Sequence, residues 1–379
     1  MRLELSTDQE FFRQTTARFL DDHAPVDEIR RLRHDRAGFD DRYWRRGAEL
    51  GWTSLLVRVE DGGGTISGQG VVDLGLVAHE FGRRAAPGPL VATNVVAFAL
   101  SSRGSAAHAS VLADLLAGEQ IGTWCYSEPP PNDRLGDVTL EMRPKGDELV
   151  IDGVKRPVEF AGCARQLLVT GRTGTGLTQA LVPADAPGVS IAPLQSVDLT
   201  RRFSAVAFED VRVPIEAAVG RVGDAETDIE RQVQLAFVML NAESVGAMQS
   251  AFEMTVEWAF DRYSFGRPLA SYQEIKHRFA DMKAWLEAGH AISDAAISGV
   301  QDGSPEAGEL ARAAKAFIGD YGTELVQDCV QIHGGIGVTF DHDLHLYLRR
   351  VVANRVLYGT PSDLRQQIGR GVLDHEDAA

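Results

Sequence analysis

Cysteine is scarce in this sequence. Cys125, Cys163 and Cys329 are widely spaced and match no metal or disulfide pattern, so structural roles in a reducing setting are expected. The N-terminus, Met-Arg-Leu-Glu-Leu-Ser-Thr-Asp-Gln-Glu, lacks an apolar core of signal-peptide length, and no later segment is an uninterrupted membrane span. A cytoplasmic protein is the expectation. Basic residues are outnumbered, 38 Lys and Arg against 54 Asp and Glu, and the formal charge of -16 argues against nucleic acid and anionic membranes as partners of the whole chain. A local basic patch remains compatible with a phosphorylated ligand. No complete G-x-G-x-x-G supports a Rossmann dinucleotide site, no G-x-S-x-G suggests a Ser-His-Asp hydrolase, and no internal repeat is visible.

What is present is an ordinary globular composition. The 379 residues are 44% hydrophobic and 24% charged, enough for two or three domains with their own cores. Up to about residue 119 helical patterning dominates, beginning with a cap at Ser6 or Thr7 and Gln9 or Glu10 a turn later. Breaks fall at Asp61-Gly-Gly-Gly-Thr and Ala86-Pro-Gly-Pro, and Val71–Phe81 and Val91–Leu116 read as mostly buried helices. From 120 to 222 short alternating runs such as Val138-Thr-Leu-Glu-Met, Glu148-Leu-Val-Ile-Asp-Gly and Gln166-Leu-Leu-Val-Thr indicate a small β domain. From 223 to 379 long helices return, one ending near Arg262, one over Tyr272–Ile297, one over Pro305–Ile332 and a shorter pair after Asp341. The α–β–α order without parallel βαβ alternation predicts the α+β class.

The most informative stretch is Asn241–Lys276. Between Gln232 and Phe252 an apolar-rich run carries one ionisable residue, Glu243. Burying a lone carboxylate is unfavourable and commonly raises its pKa, which suits a base for a weakly acidic C–H proton. Two bland alternatives stand beside that reading: a buried Glu paired with an arginine or a histidine such as His277, or exposure through a kink at Gly246. His342 and His345 with Asp341 and Asp343 have the composition of a metal site, but their placement at a helix start explains them and no metal is expected. The Arg30-Arg-Leu-Arg-His-Asp-Arg run and Arg45-Arg46 read as solvated helix faces.

Arg262 followed by Tyr263-Ser-Phe-Gly-Arg-Pro-Leu-Ala-Ser-Tyr-Gln-Glu-Ile-Lys-His resembles the R-x-x-F-G-x-P and Q-x-x-K-H signature of the acyl-CoA dehydrogenase family. Gln331-Ile-His-Gly-Gly-Ile-Gly resembles that family's second signature. The following Thr339-Phe-Asp-His-Asp-Leu-His-Leu-Tyr-Leu-Arg-Arg resembles an actinobacterial branch that handles bulky acyl-CoA substrates, including steroid degradation products. The resemblance spans nearly the whole chain. It implies an N-terminal all-α domain (1–119), a middle β-barrel or sandwich domain (120–222) and a C-terminal four-helix-bundle domain (223–379).

The chemistry it implies is α,β-dehydrogenation of an acyl-CoA thioester: a carboxylate takes the α proton, the β hydrogen leaves as hydride to FAD, and an electron-transfer flavoprotein or similar acceptor takes the electrons. Arg262 and Phe265 with Gln331, Gly334 and Gly335 are implied around the FAD pyrophosphate and adenosine, shared between subunits of a homotetramer, a homodimer or a hetero-oligomer with a paralogous chain. An arginine fork suits phosphate oxygens, and glycines let backbone N–H groups approach an anion. The bland readings are a cation at a helix C-terminus for Arg262 and a C-cap turn for the glycines.

Several positions depart from the family pattern. Its Tyr-Glu-Gly-Thr segment becomes Leu357-Tyr358-Gly359-Thr360, putting Tyr358 in place of the catalytic Glu, and another branch's helical Glu corresponds to Ala236. Glu243 lies seven residues further on, about 700° of helical rotation and roughly 10.5 Å along, in an Ala-Glu-x-x-Gly pattern of the branch, and is the candidate base. Thr-Glu-Pro followed by Gly-Ser-Asp becomes Ser127-Glu-Pro-Pro-Pro-Asn-Asp, so Ser127 keeps a hydroxyl and the second element is lost. Lys-x-Trp-Ile-Thr, whose ring and hydroxyl lie against the flavin, becomes Lys155-Arg-Pro157-Val-Glu159. An anionic Glu159 beside a flavin disfavours its reduced anionic form, so either the side chain points away or the cofactor is held mainly by other groups. These losses also admit a second class of role, a catalytically silent subunit that completes a partner's FAD site.

Overall fold

The computed structural model describes residues 4–129 and 137–377, with side chains up to residue 371. Helix α1 (Thr7–His23) starts with a complete capping box: the Gln9 N–H donates to Ser6 Oγ at 3.2 Å and the Ser6 N–H donates to Gln9 Oε1 at 3.0 Å. Then come α2 (Val26–Leu32), α3 (Asp41–Glu49), α4 (Gly70–Arg84), α5 (Leu90–Arg103) and α6 (Ala109–Leu116). The single helix expected over Val91–Leu116 is thus two. The chain leaves α5 at Gly104 in an extended conformation, where a Cβ would stand 2.2 Å from the Leu100 carbonyl oxygen.

Seven strands follow: β1 (Gly122–Cys125), β2 (Glu141–Lys145), β3 (Glu148–Glu159), β4 (Gln166–Thr173), β5 (Gly176–Pro183), β6 (Val189–Leu194) and β7 (Phe203–Pro214). They form one sheet in the order β1-β4-β2-β3-β7-β6, with β5 paired to β4. The β1–β4 and β2–β4 pairs are parallel and the others antiparallel. Irregularities between Ile151 and Gly153 and between Lys155 and Val158 bend the long β3 against β7. Beyond the sheet lie α7 (Glu226–Asp261), the small hairpin β8 (Tyr263–Ser264) and β9 (Arg267–Pro268), α8 (Gln273–Asp302), α9 (Ala307–His333), α10 (Leu344–Val356) and α11 (Pro361–Asp377). The class is α+β: helices, a mixed sheet, helices.

The chain divides into two compact units. One comprises Met1–Asp27, Gly75–Ala86 and Phe237–Ala379, and the other Glu28–Leu74 and Pro87–Ala236. In the first, α9 packs against α8, α10 and α11, and Met248, Leu286, Ile318 and Leu325 are buried. In the second, α5 packs on β1, and Trp124, Leu149, Ile151, Leu168 and Phe208 fill the core. No helix among the described residues is long and apolar enough to cross a membrane.

Candidate functional site

Helix α7 runs out at Asp261, and the Arg262 N–H still donates to the Trp258 carbonyl at 2.8 Å. The chain then reverses through Ser264-Phe265-Gly266-Arg267, with φ of 52° at Phe265 and 80° at Gly266 and Ser264 paired to Arg267. Two consecutive left-handed residues between paired strands make a type I′ hairpin turn, where glycine is at ease and a bulky side chain is strained. Phe265 is 98% exposed, so no packing in this chain repays that strain. The Leu269 N–H donates to the Arg262 carbonyl at 2.8 Å and Tyr272 Oη to the Ser264 carbonyl at 2.7 Å, which brace the turn from its C-terminal side.

Helix α9 ends beside this feature. Trp258 stacks on His333 with ring centres 5.1 Å apart, Arg262 sits 6.0 Å over the Trp258 ring, and His342 packs against the His333 ring at 4.6 Å. The Arg262 end of α7 and the Gly334 end of α9 are therefore brought together. His333 Nδ1 donates to the Cys329 carbonyl at 2.8 Å, leaving Nε2 as an acceptor, and that buried atom has no hydrogen-bond partner among the described residues. Burial pushes the His333 pKa down, outweighing its bond to Cys329, and His342 adds to the shift.

The glycines that follow differ in what requires them. Gly334 has φ 67°, and a Cβ on Gly337 would meet the Val330 carbonyl oxygen at 2.8 Å. Gly335 has neither constraint, because nothing lies within 4 Å of its Cβ position. An exposed Gln331, an open Gly334-Gly335 turn, an exposed arginine and an orphaned buried acceptor suit an anionic ligand with aromatic and hydrogen-bonding parts.

Glu243 lies deeper in the same unit and is 4% exposed. Its Oε1 accepts from the Arg350 guanidinium, itself fully buried, and its Oε2 accepts from Asn354 Nδ2 at 3.0 Å. Arg350 donates on to the carbonyls of Ala86 at 3.0 Å and Ala85 at 3.3 Å, while Asn354 also donates to Ser244 Oγ at 3.0 Å. Three elements meet here. A Cβ on Gly82 of α4 would stand 1.8 Å from the Glu243 carbonyl oxygen, and one on Gly246 of α7 would stand 2.1 Å from the His79 carbonyl oxygen. The helix backbones touch across that glycine pair, and α10 delivers Arg350 and Asn354 beside it. His277, weighed as a partner from sequence, is exposed on α8 and lies 3.4 Å from Gln273.

Ser127 is buried in the other unit, where its carbonyl accepts from the Arg156 N–H at 2.7 Å. Next to it, Glu128 accepts from Lys155 Nζ at 2.7 Å, from the Thr139 N–H at 2.9 Å and from the Leu140 N–H at 2.9 Å. Burial pushes the Lys155 pKa down to about 8 against the pull of Glu128. The burial of Glu128 is itself outweighed by Lys155 and these donors, so its carboxyl is lowered. Positions 131–133, where the sequence lacks the Gly-Ser-Asp element, lie outside the described residues. Glu159, at the end of β3, is buried and 3.2 Å from Arg201 Nη1. Sequence reasoning did not find Arg350, Asn354 or Arg201 as partners; only Arg350 had appeared, as the last letter of a motif.

Residues 6–119 match the family "Acyl-CoA dehydrogenase, N-terminal domain" and residues 229–373 match "Acyl-CoA dehydrogenase, C-terminal domain". The chain is 28% identical to acyl-CoA dehydrogenase IpdE2 of Mycolicibacterium smegmatis over 97% of its own length and 98% of that protein. Among solved structures it is similar to a variant of the Tcur3481-Tcur3483 steroid ACAD, with a TM-score of 0.88 and 26% identity over 98% of this chain and 99% of that one. The ChsE4-ChsE5 complex from Mycobacterium tuberculosis shares the fold, with a TM-score of 0.89 at 22% identity, covering 98% and 99% of the two chains.

Proposed function

This chain belongs to the acyl-CoA dehydrogenase family, and from that premise we propose that it takes part in FAD-dependent α,β-dehydrogenation of an acyl-CoA thioester with a bulky, steroid-derived acyl group. The observation that carries the cofactor assignment is the Phe265 turn: a strained aromatic held almost wholly in solvent beside an exposed arginine and a glycine that the fold does not require. FAD, when bound, supplies the two-electron acceptor. Arg262 offers its guanidinium to the pyrophosphate, the Gly334-Gly335 backbone its N–H groups, Gln331 a side-chain amide and Phe265 an apolar face. Ser127 keeps the hydroxyl that the family pattern places at its position. The exposed aromatic and turn suit a site completed by a second subunit, and an electron-transfer flavoprotein is the acceptor class for the electrons. The substrate class rests on the likeness to the steroid enzyme.

Two assignments of the base follow. In one, Glu243 releases Arg350 and Asn354 when substrate enters and takes the α proton. In the other, Glu243 is a structural member and the carboxylate comes from a paralogous partner, this chain completing the partner's cofactor site. The second is favoured by the clamp, which occupies both oxygens of Glu243, and by Tyr358 and Ala236 standing where family carboxylates are found. The test is to purify the chain alone and with its paralogue, determine flavin per subunit, and mix anaerobically with bulky acyl-CoA thioesters. Bleaching of the flavin only in the paired preparation supports the partner reading, and bleaching in the chain alone supports Glu243. A flavin-loaded preparation bleached by no acyl thioester refutes the dehydrogenase reading.

A further inference from the structure

Glu159 replaces the hydroxyl residue that, in the family resembled, lies against the flavin, and its negative charge raised an electrostatic objection to binding a cofactor that becomes anionic on reduction. The side chain neither reaches solvent nor stands alone. It is 4% exposed at the end of β3, and Arg201 Nη1, on a residue 3% exposed, lies 3.2 Å from its Oε1. Arg201 is fixed from its own side of the contact. Its Nε lies 4.0 Å from Asp198 Oδ2, and Asp198 Oδ1 accepts from the Thr200 N–H at 2.8 Å and from the Thr200 hydroxyl at 2.7 Å, closing a tight turn. That turn leads directly into β7, where Glu159 is paired with Phe203 and the Phe160 N–H donates to the Arg202 carbonyl at 2.7 Å. The Thr123 hydroxyl donates to the Glu159 carbonyl and pins the strand end from β1. Glu159 stands in the register of β3 with β7 and Arg201 two residues before β7, so the backbone brings the two charges together.

We propose that Arg201 is a positioning residue for the flavin's electrostatics: it offsets the charge of Glu159, so that this carboxylate at the end of β3 does not act on the cofactor as a lone anion. This rests on the FAD reading above. In a buried, weakly screened setting a charge acts over several ångströms, and charge near a flavin ring shifts its tendency to take electrons. Asp198 is present in every variant considered, so the differences between them come from Glu159 and Arg201. Removing each partner gives opposite signs. Glu159→Gln makes the local charge more positive by one and the flavin easier to reduce. Arg201→Gln makes it more negative by one and the flavin harder to reduce. The double variant leaves the local charge as in wild type and keeps a polar pair capable of a hydrogen bond.

The experiment is spectroelectrochemical titration of the FAD-loaded protein, prepared with its paralogue if the chain needs one, for wild type, both single variants and the double. A midpoint potential raised in Glu159→Gln, lowered in Arg201→Gln and close to wild type in the double is the expected result. If a single variant sheds its flavin, the double decides: restored flavin with a wild-type potential supports the proposal, and anything else overturns it. Flavin-loaded single variants whose potentials stay at the wild-type value, or move in the same direction, overturn it while leaving the FAD reading intact. A wild-type protein that takes up no FAD in either preparation overturns both.

Discussion

The Glu243–Arg350 pair lets a structural carboxylate be told from a catalytic one by setting stability against turnover. Glu243→Gln preserves shape and removes the anion, leaving the fully buried Arg350 without that counter-charge. Breaking a buried pair from one side is worth about 3–5 kcal/mol. Arg350→Met leaves a buried carboxylate and also strips donors from the Ala85 and Ala86 carbonyls, each orphaned carbonyl adding about 1–3 kcal/mol, so it belongs at or above the top of that range. The double variant Glu243→Gln, Arg350→Met removes both charges of the pair and retains the amide of Asn354 as a neighbour. Replacing a buried pair by neutral groups of similar volume is often close to neutral, but the Ala85 and Ala86 carbonyls stay without that donor, so the double is expected to lose no more than Arg350→Met alone and clearly less than the two single losses added together.

Urea unfolding followed by far-ultraviolet circular dichroism, with the transition of the helical unit fitted, reads these differences as shifts in midpoint. Against a total stability of about 5–15 kcal/mol for a domain, the Glu243→Gln loss is readable as a midpoint shift, while Arg350→Met is expected to remove a large part of the stability. Two outcomes refute the reasoning. One is a Glu243→Gln protein that unfolds like wild type while its turnover vanishes, which makes Glu243 a base and its clamp incidental. The other is strict additivity in the double, which removes the interaction that the geometry assigns to the pair.

Gly246→Ala forces a methyl to within 2.1 Å of the His79 carbonyl, so α4 and α7 must separate; a loss above the usual overpacking range of about 1–3 kcal/mol is expected in the same unfolding assay. Phe265→Gly relieves a left-handed phenylalanine and is expected to stabilise the flavin-free protein by about 1 kcal/mol while lowering FAD occupancy, measured by calorimetry and by flavin absorbance. Glu80 is pushed up by burial but pulled further down by His79, Arg13 and Arg84, from 4.5 to about 2. Because the folded pKa lies below the unfolded one, its stabilisation is fully present above the unfolded value and is lost as pH falls from about 5 toward 2. About 3 kcal/mol of acid-sensitive stability is expected to disappear in Glu80→Gln, seen as a flatter dependence of unfolding midpoint on pH over that window.

What could be read from sequence was what is decided locally. The capping box at Ser6 and Gln9 needs only four consecutive residues, and the long helices α7, α8 and α9 end within a few residues of the breaks predicted for them. Strand β1 is buried on both faces, so it lacks the alternation that marks a half-exposed strand. The split between α5 and α6 turns on a backbone approach to Leu100 that composition does not encode. Glu243 shows the same limit at the site. A single ionisable residue in an apolar run marks an unfavourable burial that a shifted pKa, a partner or exposure relieves, but it does not say which of these holds or where a partner is. His277 was the histidine weighed, from a nearby helix; Arg350 arrives from 107 residues away on α10, and the Ala85 and Ala86 carbonyls accept from it as Glu243 does. Each member of that knot makes the others tolerable, so a reading that takes residues one at a time sees a lone carboxylate where the assembled helices hold an ion pair.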